Sequence, residues 1–107
     1  MKHGVDLLEE ITKICQERSI LLGSIEAIGA VQKASIAFYN QTKRDYVPMT
    51  INEPLEMTSL TGNISIKDEN PFVHAHVTLA DSKGNVYGGH LAPGTIVFAC
   101  EFIIKTF

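Results

Sequence analysis

The stretch that decides the fold is FVHAHVTLADSKGNVYGGHL, running from Phe72 to Leu91. Two apolar-alternating runs flank Asp81-Ser82-Lys83-Gly84, the pattern of a β-hairpin. On the first arm Val73, Ala75, Val77 and Leu79 share one face, while His74, His76 and Thr78 share the other. The loop length decides where His90 falls. With Ser82-Lys83-Gly84 as a three-residue loop and Gly84 left-handed, Asp81 pairs with Asn85, and His76 stands opposite His90 on the same face. A two-residue loop sets His90 opposite Val77, on the aliphatic face, unless a bulge at Gly88-Gly89 restores the phase. The three-residue loop is the ordinary choice for a turn ending in glycine. With it, three imidazoles converge.

Outward from the hairpin, the rest of the chain reads as one helix and further strands. Gly4 to Arg18 has Leu7, Leu8, Ile11, Ile14 and Cys15 at three- and four-residue spacing, with charged and amide side chains opposite. Asp6 is placed to cap its first turn, with Glu9 three residues on. Ser24 to Ile28 reads as a short strand, Gly29 permits a bend or bulge before Ala30 to Tyr39, and Asn40 to Arg44 reads as a polar turn. Tyr46-Val47 begins a brief return that Pro48 is expected to stop. Leu55, Met57 and Leu60 form a strand that Gly62 interrupts and Asn63 to Ile66 resumes. Asp68-Glu69-Asn70-Pro71 is a turn into the hairpin. In Thr95 to Phe107, Ile96, Phe98, Cys100 and Phe102 face one way and Val97, Ala99 and Ile103 the other. Apolar residues on both faces predict burial on both sides, by the helix and by a neighbouring subunit. One amphipathic helix packed on six or seven mostly antiparallel strands is an α+β domain, residues 1–107.

At 107 residues and 45% hydrophobic, the chain fits one small domain with a modest core. A net charge of −3, with only Lys43-Arg44 adjacent among nine basic residues, argues against a broad electrostatic grip on nucleic acid or anionic membrane. No apolar run approaches a membrane span, and no N-terminal segment resembles a signal peptide. Cys15 and Cys100 sit inside apolar patterns, which suits buried thiols in a reducing cytoplasm better than a disulfide framework.

Three neutral imidazoles with an open fourth position describe a catalytic-type zinc site. Histidines on a solvent-facing strand also need no ligand, and both readings stand on spacing alone. His3 is expected at a frayed, inert terminus. Glu26, Glu56 and Glu101 lie in strand-like segments, where each is a candidate general base or a plain surface residue. No phosphate-binding glycine loop, nucleophile elbow or zinc-finger spacing is present.

Four segments then appear in order: SIEAIGAV (Ser24–Val31), LEMTSLTG (Leu55–Gly62), HAHVTLAD (His74–Asp81) and GGHL (Gly88–Leu91). Together they resemble the plants-and-prokaryotes conserved (PPC) domain family. The resemblance implies an antiparallel-sheet α+β domain that assembles as a homotrimer. It also implies a provisional DNA-binding label, carried largely because plant members join the domain to AT-hook segments. Prokaryotic members that keep the histidines are similar in fold to acetolactate decarboxylase, whose zinc is held by an H-x-H pair and a third downstream histidine. His74, His76 and His90 match that pattern in kind, with a longer gap before the last. Zinc, or another divalent transition metal, is thus the implied cofactor.

Two features depart from the family. Its usual arginine-bearing first strand has no room in Met1-Lys2-His3, and some continuation is expected beyond Glu101-Phe102; the R-G-R-P-like arm of plant members is absent as well. A missing first strand would expose a sheet edge and favour pairing between subunits. Three functions follow as expectations: a homotrimeric regulatory binding module with a histidine metal site, a zinc-dependent enzyme on a small oxygen-rich substrate, or an interaction scaffold. The enzyme needs a cationic group near the histidines, and neither Arg18 nor Arg44 is evidently so placed.

Overall fold

In the computed structural model, which describes residues 1–107, one helix precedes six strands of a single antiparallel sheet. Helix α1 spans Leu7–Glu17. Asp6 sets its start: one carboxylate oxygen accepts the Glu9 N–H at 3.1 Å, and the other accepts the Gly94 N–H at 2.6 Å. One side chain therefore caps the helix and fastens it to the loop before the last strand. Leu7, Ile11 and Cys15 recur every four residues on one face, and all three are fully buried. The helix lies against β4, defined below. It is too short to cross a membrane.

The strands are β1 (Gly23–Asn40), β2 (Asp45–Ile51), β3 (Leu55–Lys67), β4 (Asn70–Ala80), β5 (Val86–Leu91) and β6 (Ile96–Thr106). Strand β1 organises the rest. Its 18 residues would reach nearly 60 Å if straight, at about 3.3 Å each. The longest dimension of the molecule is 39 Å, so β1 has to bend. Register slips between Ala27 and Gly29, and again between Ala30 and Lys33, mark the bulges where it does so. The first half of β1 pairs with β3 and β6, the second half with β2 and β5. Strand order is β2-β1-β3-β4-β5, and β5 returns to β1 through Ile36 opposite Leu91 and Ala37 opposite His90. The curl β1-β3-β4-β5 thus closes on itself.

Inside the curl, Ile25, Val31, Leu60, Leu79, Leu91 and Val97 meet the buried face of α1. Thr95 is the buried polar side chain of this core, and it is satisfied. Its hydroxyl donates to the Ser35 carbonyl and accepts the Ser35 N–H, both at 3.0 Å. Cys15 and Cys100 are free thiols, the first buried and the second partly so.

Ser24 to Ile28 and Ala30 to Tyr39 run on as one strand, with the expected bulge at Gly29. Several local expectations are corrected. Pro48 does not end β2, which runs on to Ile51 opposite Ala34. β2 is an edge strand with a partner on one side only, a setting in which a missing N–H is tolerated. Gly62 does not interrupt β3. It pairs with Ala75 so closely that a Cβ would stand 2.8 Å from the Ala75 methyl. The turn before β4 is shorter than expected: Asp68 and Glu69 both take positive φ, and Lys67 pairs directly with Asn70.

β6 also differs. Between the pairs Ala30–Ala99 and Val31–Val97, Phe98 is an extra residue that reverses the phase. Val97 is therefore buried and Phe102 packs on the core, while Phe98 and Ile103 are 57% and 62% exposed. Within one chain the two-sided burial of this strand is not reached. His3 is not frayed. Its ring lies 5.2 Å from that of Phe98, its Nδ1 is 3.2 Å from the Phe98 carbonyl, and Gln32 reaches its Nε2 at 2.7 Å.

Gly29 carries the sharpest test of the bend. A Cβ there would overlap the Ala99 carbonyl and stand 2.8 Å from the Cys100 Cα, both backbone of β6. Gly29→Ala should destabilise the fold by about 2 kcal/mol or more, read as a lower urea midpoint at unchanged m-value.

Candidate metal centre

The hairpin loop places the site. The Asp81 N–H donates to the Asn85 carbonyl at 3.0 Å, the Gly84 N–H donates to the Asp81 carbonyl at 3.1 Å, and Gly84 has φ 83°. The Asp81 carboxylate accepts the N–H groups of Lys83 and Asn85 at 2.9 Å and the Asn85 side-chain amide at 3.0 Å. These bonds, led by the Asn85 amide, hold the Asp81 carboxyl below its ordinary range. Three residues separate Asp81 from Asn85, so His76 on β4 stands directly opposite His90 on β5. The two-residue alternative is excluded.

His74 and His76, two apart on β4, project from the face opposite the core. Ring centroids lie 5.0 Å apart for His74 and His90, 5.1 Å for His74 and His76, and 6.1 Å for His76 and His90. One ring nitrogen from each falls within 4.8 Å of the other two. Nitrogens around a tetrahedral zinc ion, each bonded at about 2.0–2.1 Å, stand about 3.3–3.4 Å from one another. Small ring rotations span the difference. His90 Nδ1 is buried and has no hydrogen-bond partner, a vacancy that a protein of this size seldom leaves. Burial, then the neighbouring His74 and His76, push the His90 imidazole below its ordinary value of 6.5. A donor held neutral, with an unpaired buried nitrogen beside two further imidazoles, fits a borderline-soft divalent ion.

Two tyrosines flank the cluster. Tyr46, from edge strand β2, lies over His90 with centroids 4.9 Å apart and ring planes 33° from parallel. Tyr39, its cross-strand partner, meets it edge-on at 5.1 Å. Thr61 stands opposite His76 and Asn63 opposite His74.

The structure brings His74, His76 and His90 together and leaves the candidate bases apart. Glu26 pairs with Thr61, two strands and about 10 Å from His76. Glu56 lies opposite Ala80, and Glu101 opposite Ile28. Glu26 and Glu101 instead line a separate cleft of about 460 Å³ with Thr61 and Ile103. Sequence reasoning missed Tyr46. Its place over His90 depends on Ala37 pairing with His90, a contact between segments more than fifty residues apart.

Comparison with known proteins places this fold in a group. The profile described as the Plants and Prokaryotes Conserved (PCC) domain matches residues 1–107. The crystal structure of a metal-containing protein from Archaeoglobus fulgidus is 45% identical, with a TM-score of 0.94 over 99% of this chain and 74% of that one. A Pyrococcus horikoshii plant- and prokaryote-conserved protein is 35% identical, with a TM-score of 0.95 over 99% and 73%. A Bacteroides thetaiotaomicron protein with a provisional DNA-binding label is 31% identical, with a TM-score of 0.94 over 100% and 75%. The bifunctional protein GlmU of two Synechococcus strains is 29% identical over 102 residues, and the chain spans only 15% of its length.

The depressed His90 pKa has a testable sign. The unfolded chain binds a proton near pH 6.5, while the folded chain binds it only at lower pH. Between those values the unfolded state holds more protons, so stability rises with pH through the window and this contribution is level above it. Metal-stripped protein should lose stability as pH falls below 6.5 more steeply than His90→Asn, in paired denaturation series from pH 7.5 to 5.5. Equal slopes would show that His90 titrates normally.

Proposed function

Because the chain belongs to the Plants and Prokaryotes Conserved (PCC) domain family, we propose that it is a homotrimeric binding module with a divalent-metal site at His74, His76 and His90. The carrying observation is the convergence of three imidazoles from adjacent strands, one ring nitrogen of each within 4.8 Å of the others, with His90 Nδ1 buried and unpaired. The metal-containing relative from Archaeoglobus fulgidus supports the reading at 45% identity. Three protein nitrogens leave a coordination position open, as in zinc sites that take water or a small ligand. A zinc ion there would supply a Lewis acid for an oxygen donor and lower the pKa of a bound water. The chain's own part is to bring the three rings together, while the candidate bases Glu26, Glu56 and Glu101 pair elsewhere in the sheet. Binding and presentation of a small oxygen or nitrogen donor therefore fits better than proton-transfer catalysis, which needs a positioned base.

Assembly is supported by the apolar residues left uncovered. Ile28, Phe98 and Ile103 are each more than half exposed on β1 and β6. The outer edges of β2 and β6 carry unpaired backbone groups. A homotrimer covering that surface and using those edges accounts for both.

The DNA label of the relatives is a second reading, and charge weighs against it. Phosphate contacts come from Lys and Arg, whereas this chain is net negative with one adjacent basic pair.

Elemental analysis of tag-free protein should return about one zinc or other divalent transition-metal ion per chain. The His74→Ala/His76→Ala double variant should lose it. Substoichiometric metal, unchanged in the variant, would retire the site. Light scattering at micromolar concentration should give three times the chain mass, and a monomer would remove the trimer. In anisotropy titrations at low salt, where the phosphate term is strongest, duplex DNA should not bind. Tight, salt-sensitive binding would restore the DNA reading.

A further inference from the structure

Resting on the metal reading above, we propose that Tyr46 is the positioning residue of the histidine site, so that edge strand β2 controls how well the site holds an ion. His74 and His76 share β4 and are fixed relative to each other by one backbone. His90 comes from β5, a six-residue strand in which Gly88 and Gly89 immediately precede it. A glycine pair adds no side chain to steer the ring that follows. What stands against His90 on the side away from His74 and His76 is the Tyr46 ring, at 4.9 Å and 33°. Tyr46 is itself held by Tyr39 across the strand pair. The rings form an unbroken series: Tyr39, Tyr46, His90, His74, His76.

The contact favours the loaded state. An imidazole that donates a lone pair to a divalent ion becomes electron-poor. A tyrosine face then attracts it more strongly than the neutral ring, as in a cation–π pair. An aromatic pair of this kind also narrows the rotamers open to His90 before the ion arrives.

The placement makes the site conditional. Tyr46 is 48% exposed, and β2 is hydrogen-bonded on one edge only. A partner strand added at the free edge of β2, or release of the β1–β2 ribbon, moves the Tyr46 ring while leaving the β4–β5 pairing of the histidines intact. Coupling between β2 and the metal follows from geometry. Val47 supplies the control: it neighbours Tyr46, is equally exposed at 50%, and points to the opposite face.

The test compares Tyr46→Ser, Tyr46→Phe and Val47→Ser with the unmodified chain, using Co(II) as the probe. The readouts are affinity by chelator competition and the visible d–d spectrum. Tyr46→Ser should bind Co(II) roughly three- to tenfold more weakly, with an altered d–d envelope. Tyr46→Phe should restore both, because the ring and not the hydroxyl is at work. Val47→Ser should match the unmodified chain. Unchanged affinity and spectrum in Tyr46→Ser would overturn the proposal, as would equal weakening in Val47→Ser, which would make the effect one of strand stability. Absence of Co(II) binding in the unmodified chain would overturn the metal reading itself, a separate outcome.

Discussion

The structure depends on one strand being hydrogen-bonded along both edges by four different partners. Between Gly23 and Val31, β1 pairs with β3 on one side and β6 on the other. From Ala34 onward the same edges pass to β5 and β2. A backbone amide left unpaired in a core is costly, so each handover must occur without a gap. The bulges at Gly29 and around Gln32 meet that demand. They turn the strand and re-aim its amides, and the residues there are ones that tolerate it. At Gly29 the β6 backbone comes so close that no side chain fits. Once β1 is bent, β5 is brought back against it and the sheet closes without a barrel's full complement of strands.

The histidine site is a by-product of that closure. His74 and His76 would share a face on any strand, but His90 reaches them because β5 is held between β4 and β1. On the core side of the same strands, Val73, Ala75, Val77 and Leu91 are buried, so none can slip by one residue without exposing an apolar row. Hydrophobic burial thereby fixes the geometry of a polar cluster on the opposite surface. Three neutral imidazoles can stand this close at ordinary pH. Three imidazolium ions would repel one another, and the His90 pKa is lowered first by burial and then by the neighbouring His74 and His76.

What could be read from the sequence was what local rules determine. The Asp6 cap with Glu9, the periodicity of Leu7, Ile11 and Cys15, the alternation through His74 and His76, and the glycine-ended loop are each settled within a few residues. So was the pairing of His76 with His90, since it follows from counting out of the loop. The failures share a different cause. Pro48 sits within a strand because that strand lies at an edge, and Phe98 reverses the phase of β6 because β1 bends beside it. His3 is fastened because β6 passes near. Tyr46 reaches the cluster through a pairing made half the chain away. Each depends on which segment lies alongside, and no local spacing carries that information.

The Asp81–Asn85 loop has a consequence for how such a chain can change over generations. Surface loops commonly absorb insertions and deletions with little effect, and this one is exposed from Ser82 through Asn85. Its length is nonetheless locked in parity. Adding or removing one residue turns every side chain of β5 to the other face. That would drive His90 into the aliphatic core and lift Leu91 out of it. A two-residue change keeps the faces but slides His90 along the strand. An exposed tip of the molecule is therefore among its least adjustable in length, and the Asp81 carboxylate, gripping the loop through three hydrogen bonds, is what keeps the count.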